Sequence, residues 1–135
     1  MIAVDTNVLV RFLVRDSVTP EHSDAAAAEF RRAREAGDRV FIPIVALLET
    51  VWVLGSRMKA PKVDVLDMLA ALLAESFITV DRHGAVLRAA ARWRTGPAGF
   101  ADYLALSLAN DEGATELLTF DGKLLREAGT REPAA

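Results

Sequence analysis

IAVDTNVLVRFLV (residues 2–14) changes from one kind of order to another within six residues. Ile2, Ala3 and Val4 run apolar without alternation, as a strand covered on both faces does. Asp5, Thr6 and Asn7 then supply helix-starting side chains ahead of the apolar VLVRFLV. The same grammar recurs along the chain. RVFI (39–42) reads as a strand, and Pro43 opens a helix through Arg57, an early position where proline is tolerated. FITV (77–80) reads as a strand before the helix HGAVLRAAARWR (83–94), and ELLT (116–119) as a strand before a short last helix, GKLLREA (122–128). Three more helices fill the intervals. One covers 21–36 and stops at Gly37. One covers 63–75, after the break KAPK (59–62), with Val63, Leu66, Leu69, Ala70 and Leu73 at helical spacing. The third covers 100–112, between the turn TGPAG (95–99) and Gly113. Strands alternating with helices predict one α/β domain over 1–135, an α/β/α sandwich on a mainly parallel sheet of four or five strands. Its core spans about 2–126, and the tail TREPAA is expected to be a short edge strand or frayed.

At 135 residues the chain can bury a real core, and 52% hydrophobic with 26% charged residues is a globular composition. There is no cysteine, which removes disulfides, thiolate metal sites and cysteine nucleophiles and agrees with a reducing cytoplasm. The opening shows no basic n-region or small-residue cleavage site, so no signal peptide is expected. The longest apolar run, VFIPIVALLETVWVLG (40–55), is broken by Glu49 and too short to span a bilayer, so no membrane association is expected. A net charge of −3 argues against indiscriminate nucleic-acid binding. Local patches remain open, at Arg31, Arg32 and Arg34 and at Arg88, Arg92 and Arg94, although each also reads as a solvated helix face.

Four acids stand out against these apolar elements. Asp5 ends the first strand, or caps the helix after it. Glu49 interrupts residues 40–55 with Val45, Ala46, Trp52 and Val53 on its face, which predicts a buried side chain, paired with an arginine or with a cation. Asp102 lies in AGFADYLALSLAN (98–110), where a helix dipole also favours an acid. Asp121 ends ELLTFD, with Thr119 two residues before it, and would equally suit an Asp-Gly turn or a cap. In a parallel sheet, ligands bind beyond the carboxyl ends of the strands, where Asp5 and Asp121 are expected to meet. Converging carboxylates repel, and a hard divalent cation relieves the repulsion; oxygen ligands suit Mg²⁺ or Mn²⁺ better than zinc. His22 and His83 have no metal-ligand spacing and read as surface or capping residues.

An apolar strand ending Asp-Thr-Asn, then Pro43 and Glu49 in an apolar helix, Asp102 in Phe-Ala-Asp-Tyr, and Thr-Phe-Asp at 119–121 together resemble a PIN domain, over about residues 2–126. More narrowly the pattern is similar to the VapC toxin ribonucleases of bacterial type II toxin–antitoxin modules. The resemblance implies an acidic site of Asp5, Glu49, Asp102 and Asp121, supported by Asn7 and Thr119. It implies Mg²⁺- or Mn²⁺-dependent endonucleolytic cleavage of RNA, a homodimer, and an antitoxin encoded next door that inhibits the toxin in a heterotetramer or larger complex. In that scheme Asp5 and Asp102 hold a metal at the scissile phosphate, Asp121 completes that shell or a second one, and Glu49 binds metal or positions the attacking water. One ion or two stays open. Arg11, Arg15, Arg82, Arg92 and Lys123, mostly near element ends, are candidates for RNA phosphates.

Three rivals compete. A haloacid-dehalogenase-like phosphatase also begins with a strand-end Asp, but normally carries a second Asp two positions on, where this chain has Asn7. A receiver-like signalling domain needs adjacent acids at the first strand end, which are missing, although Lys123 could imitate its lysine. A non-catalytic PIN-like RNA-binding protein would keep the fold without the chemistry.

Overall fold

A computed structural model describes residues 1–135, which divide into two compact units, Met1–His83 and Gly84–Ala135.

In the first unit the apolar runs become short parallel strands: β1 (Ile2–Ala3), β2 (Val40–Ile42) and β3 (Ile78–Val80), in the order β1-β2-β3. Ile2 pairs with Val40, and Val40 with Ile78, so β2 is central and its Val40 and Ile42 are fully buried. The links are helical, as parallel pairing requires. Helices α1 (Thr6–Leu13) and α2 (Pro20–Glu35) join β1 to β2, and α3 (Ile44–Trp52) and α4 (Lys62–Ala74) join β2 to β3. Helices α1 and α2 meet through Phe12 and Phe30, whose rings stack at 3.8 Å. The stop at Gly37 is a Schellman motif. Gly37 N–H donates to Arg34 O and Asp38 N–H to Ala33 O, with Gly37 at φ +68°, a left-handed conformation that costs glycine little.

The expected long helix through Arg57 is α-helical only to Trp52, and residues Val53–Arg57 form a π turn. Asp81, just past β3, accepts the Ile44 N–H at 3.0 Å and so fixes the start of α3, whose N-cap Pro43 has no side-chain donor or acceptor to offer.

The second unit takes up α5 (His83–Thr95), α6 (Phe100–Asp111) and two-residue strands β4 (Leu117–Leu118) and β5 (Thr130–Arg131). Its centre is Tyr103, fully buried, whose hydroxyl accepts from Ala98 N–H at 3.2 Å and donates to Glu127 at 3.1 Å. That hydroxyl explains Gly96, because a Cβ there would lie 1.8 Å from it. The tail is a strand: β5 pairs in parallel with β4, Leu117 with Thr130, and Arg131 bonds Glu116 at 2.6 Å. The parallel pairing expected from the sequence is present. The expected single sheet of four or five strands is instead one of three and one of two, the latter made by β4 and the tail strand β5. The expected last helix shrinks to a 3₁₀ turn at Leu124–Arg126.

Candidate active site

Asp5 and Glu49 come together. The β1–β2 pairing sets the end of β1 beside the start of α3, and an open cleft of about 480 Å³ there is lined by Asp5, Thr6, Pro43, Val45, Ala46 and Glu49. Asp5 caps α1, its Oδ1 accepting the Val8 N–H at 3.2 Å. The Thr6 hydroxyl donates to Glu49 Oε2 at 3.0 Å, across 43 residues of sequence. Thr6 belongs to the site, a role that helix-start chemistry alone did not reveal.

One expectation needs correction. Glu49 was expected to be buried, with an arginine or a cation as partner; it is exposed, and it accepts the Thr6 hydroxyl. Its apolar neighbours Val45 and Trp52 are themselves exposed, at 72% and 56%, so they do not wall it in. Asp5 and Asp121 are exposed too, and Asp102 is half-buried. The acids are therefore not forced into apolar surroundings; what marks Asp5 and Glu49 is their shared position beyond the parallel strand ends.

In the second unit each acid is bound to its own turn. Asp102, in the first turn of α6, accepts the Gly99 N–H through Oδ2 at 3.1 Å. Asp121 Oδ1 accepts Lys123 N–H at 2.8 Å and Leu124 N–H at 3.0 Å, capping the 3₁₀ turn, while its own N–H donates to the Thr119 hydroxyl at 3.0 Å. Asn7 faces a different hollow, of about 500 Å³ between α1 and α2, with Arg11, His22 and Glu29. Arg11 lies 3.4 Å from Asp16, and Arg15 pairs with Asp24 at 2.7 Å, so both already face acids. Arg82 has a left-handed backbone, and Arg92 and Lys123 are exposed.

No three His, Cys, Asp or Glu side chains form a group that could hold a metal ion. The donor set still fits one hard cation: Mg²⁺ keeps several waters and needs only one or two protein carboxylates, and Asp5 and Glu49 line one solvent-open cleft.

The family model of the PIN domain matches residues 2–129, and the chain belongs to that family. The PIN assignment sets aside the phosphatase and receiver readings. Among solved structures, the crystal structure of Mycobacterium tuberculosis VapC20, described as a sarcin-ricin loop cleaving toxin, is similar at 17% identity. That likeness covers 93% of this chain and 94% of the other with a TM-score of 0.41, too low to carry an argument about function. No curated protein matches the chain significantly.

Proposed function

We propose that residues 1–135 work as one PIN domain and that the protein is a metal-dependent endoribonuclease, the VapC-type toxin of a toxin–antitoxin module. The observation that carries this is the Asp5–Glu49 cleft at the end of β1, in a chain of the PIN family. Asp5 and Glu49, with Asp102 and Asp121, are the residues that would hold Mg²⁺, or Mn²⁺. What such a cation supplies is a more acidic water and neutralisation of phosphate charge. The chain's own groups do the positioning. The Val8 N–H orients the Asp5 carboxylate, and the Thr6 hydroxyl holds Oε2 of Glu49 and leaves Oε1 to a cation or a water. Thr119 ties down the backbone of Asp121, and Asn7 is the remaining supporting polar group. Arg11, Arg15, Arg82, Arg92 and Lys123 are proposed contacts to RNA phosphates.

A cognate antitoxin and a second copy of the chain are the proposed protein partners, in a heterotetramer or larger. Val18, Val63, Leu87 and Phe120 are exposed, and large apolar side chains on the surface suit such contacts. No helix is long and apolar enough to cross a membrane. The proposed setting is the cytoplasm, where a toxin of this kind would meet its RNA. A second reading, RNA binding without cleavage, is favoured by one fact: no three ligating side chains gather.

The deciding experiment expresses the chain without antitoxin and maps new RNA 5′ ends, with Asp5→Asn as control. Asn is as good a helix cap as Asp, so the variant is expected to fold normally and lose cleavage. Cleavage by purified protein should vanish with a chelator and return with Mg²⁺ or Mn²⁺. Undiminished cutting by Asp5→Asn would remove this site from the mechanism.

A further inference from the structure

Trp52 is 56% exposed, although the helix that carries it is otherwise mostly apolar. It shares a helix face with Val45 and Glu49, at i, i+4 and i+7, so it lies about one turn beyond the acid that lines the cleft. There the helix widens. Met58 N–H donates to Val53 O at 3.1 Å, an i→i+5 bond. In a regular α-helix Trp52 and Arg57 would point about 140° apart. The wider winding of a π turn narrows that angle, and such turns recur at functional positions. Accordingly the Arg57 guanidinium sits 5.5 Å from the centroid of the Trp52 ring. The outcome is a broad aromatic side chain, more than half open to solvent, with a cation held against it and the Glu49 carboxylate one turn away.

We propose that Trp52 and Arg57 form a stacking platform for an unpaired nucleobase of the RNA, beside the bond to be cut, with Arg57 also reaching the flanking phosphate. The proposal rests on the ribonuclease reading above. An indole face accepts any base by stacking, and a guanidinium adds cation–π and phosphate contact, the combination single-strand binders use. Exposed Glu49, Ser56 and Arg57 flank the indole with polar groups, and exposed Val45 and Met58 add apolar surface that a stacked base can also cover.

The test uses full-length protein carrying Asp5→Asn, so that RNA is bound but not cut, and Trp93→Phe, so that of the chain's two tryptophans only Trp52 reports. A single-stranded RNA oligonucleotide should quench the indole fluorescence on titration. An abasic nucleotide walked along that oligonucleotide should weaken binding at one position by about tenfold. Read by the anisotropy of a labelled oligonucleotide, Trp52→Ala should weaken binding roughly five- to a hundredfold and erase that positional dependence, while Trp52→Phe keeps part of both. Arg57→Ala should lower affinity and reduce its salt dependence. A flat abasic profile in the Trp52-containing protein overturns the platform without touching the nuclease reading. So does Trp52→Ala that binds RNA normally but halves in mass on sedimentation, which would place the indole in a subunit interface. Failure of every variant, Trp52 intact, to bind RNA would sink both.

Discussion

The two units handle the same residue type differently. In the first, Asp5 and Glu49 reach one cleft from beyond the carboxyl ends of two parallel strands, and Thr6 ties the second to the segment of the first. In the second, Asp102 and Asp121 each accept backbone N–H groups within their own turn. Capping alone does not set the two groups apart, since Asp5 also caps α1, through one amide where Asp121 accepts two. A carboxylate with two lone-pair-rich oxygens can spend one on a local amide and offer the other outward. What marks the first pair is a shared cleft, which no local bond produces.

The strongest challenge to this contrast is catalytic. Glu49→Gln is expected to slow RNA cleavage by on the order of a hundredfold or more, and Thr6→Val by less, since it only frees Glu49 to swing. Asp121→Asn, whose amide oxygen can still cap, should lose cleavage to a similar extent as Glu49→Gln while keeping its stability. Wild-type rates in Asp121→Asn would leave that acid a cap and nothing more.

The next largest effect tests how tightly the second unit is built. Gly96→Ala would set a methyl against the Tyr103 hydroxyl, with the Arg92 carbonyl 3.0 Å away on another side. Forcing these apart should cost about 3 kcal/mol, read by denaturant unfolding. A change of only a few tenths would show that Tyr103 moves freely.

Titration should separate the units by pH. Asp16 is held below the usual carboxylate range by the Thr19 and Val18 amides, and Asp24 by Arg15. A depressed carboxylate contributes stability above its unfolded pKa and loses it as pH falls through the folded value, so acid below about pH 4 should loosen the first unit. Burial, first, and Glu127, second among the raising causes, push Tyr103 above its ordinary value of 10.0. Its contribution is complete below that value and is lost as pH rises through the folded one, so alkali should loosen the second unit. The chain has one tyrosine, so phenolate absorbance reads it directly. Ionisation at the ordinary value would mean that the second unit does not close around it.

The smallest expected effect is a gain. Thr50 is buried beside Glu49 in sequence, and its hydroxyl has no partner. Thr50→Val keeps the shape and removes the unsatisfied group, and should stabilise the first unit by roughly 0.5–1 kcal/mol. Loss of stability would reveal a bond the hydroxyl makes.

Much of the fold was legible in residues 2–126. Apolar runs bounded by turn residues marked four of the strands, although each proved one to two residues shorter than its run, and Gly37 and Pro43 marked a stop and a start because their backbone preferences are intrinsic. The chain order of the four acids was enough to point to the PIN family. The exposure of Glu49 was not legible, because hydrophobic neighbours imply burial only when something covers them, and nothing printed in the sequence says that Val45 and Trp52 face solvent. The split into sheets of three and two strands was missed for a related reason: strand partners are set by long-range pairing, here Leu117 and Leu118 with Thr130 and Arg131 in the tail.

Sequence alone determined what is local: the order of the elements, the stop at Gly37, the start at Pro43, and a set of ligating side chains without cysteine. Tertiary structure decided what is relational: that Asp5 and Glu49 share a cleft, that Thr6 reaches across 43 residues to hold one of them, and that a π turn lays Arg57 on Trp52. Backbone propensities act over a few residues, whereas these contacts depend on strand pairing and helix winding, which only the packed chain fixes.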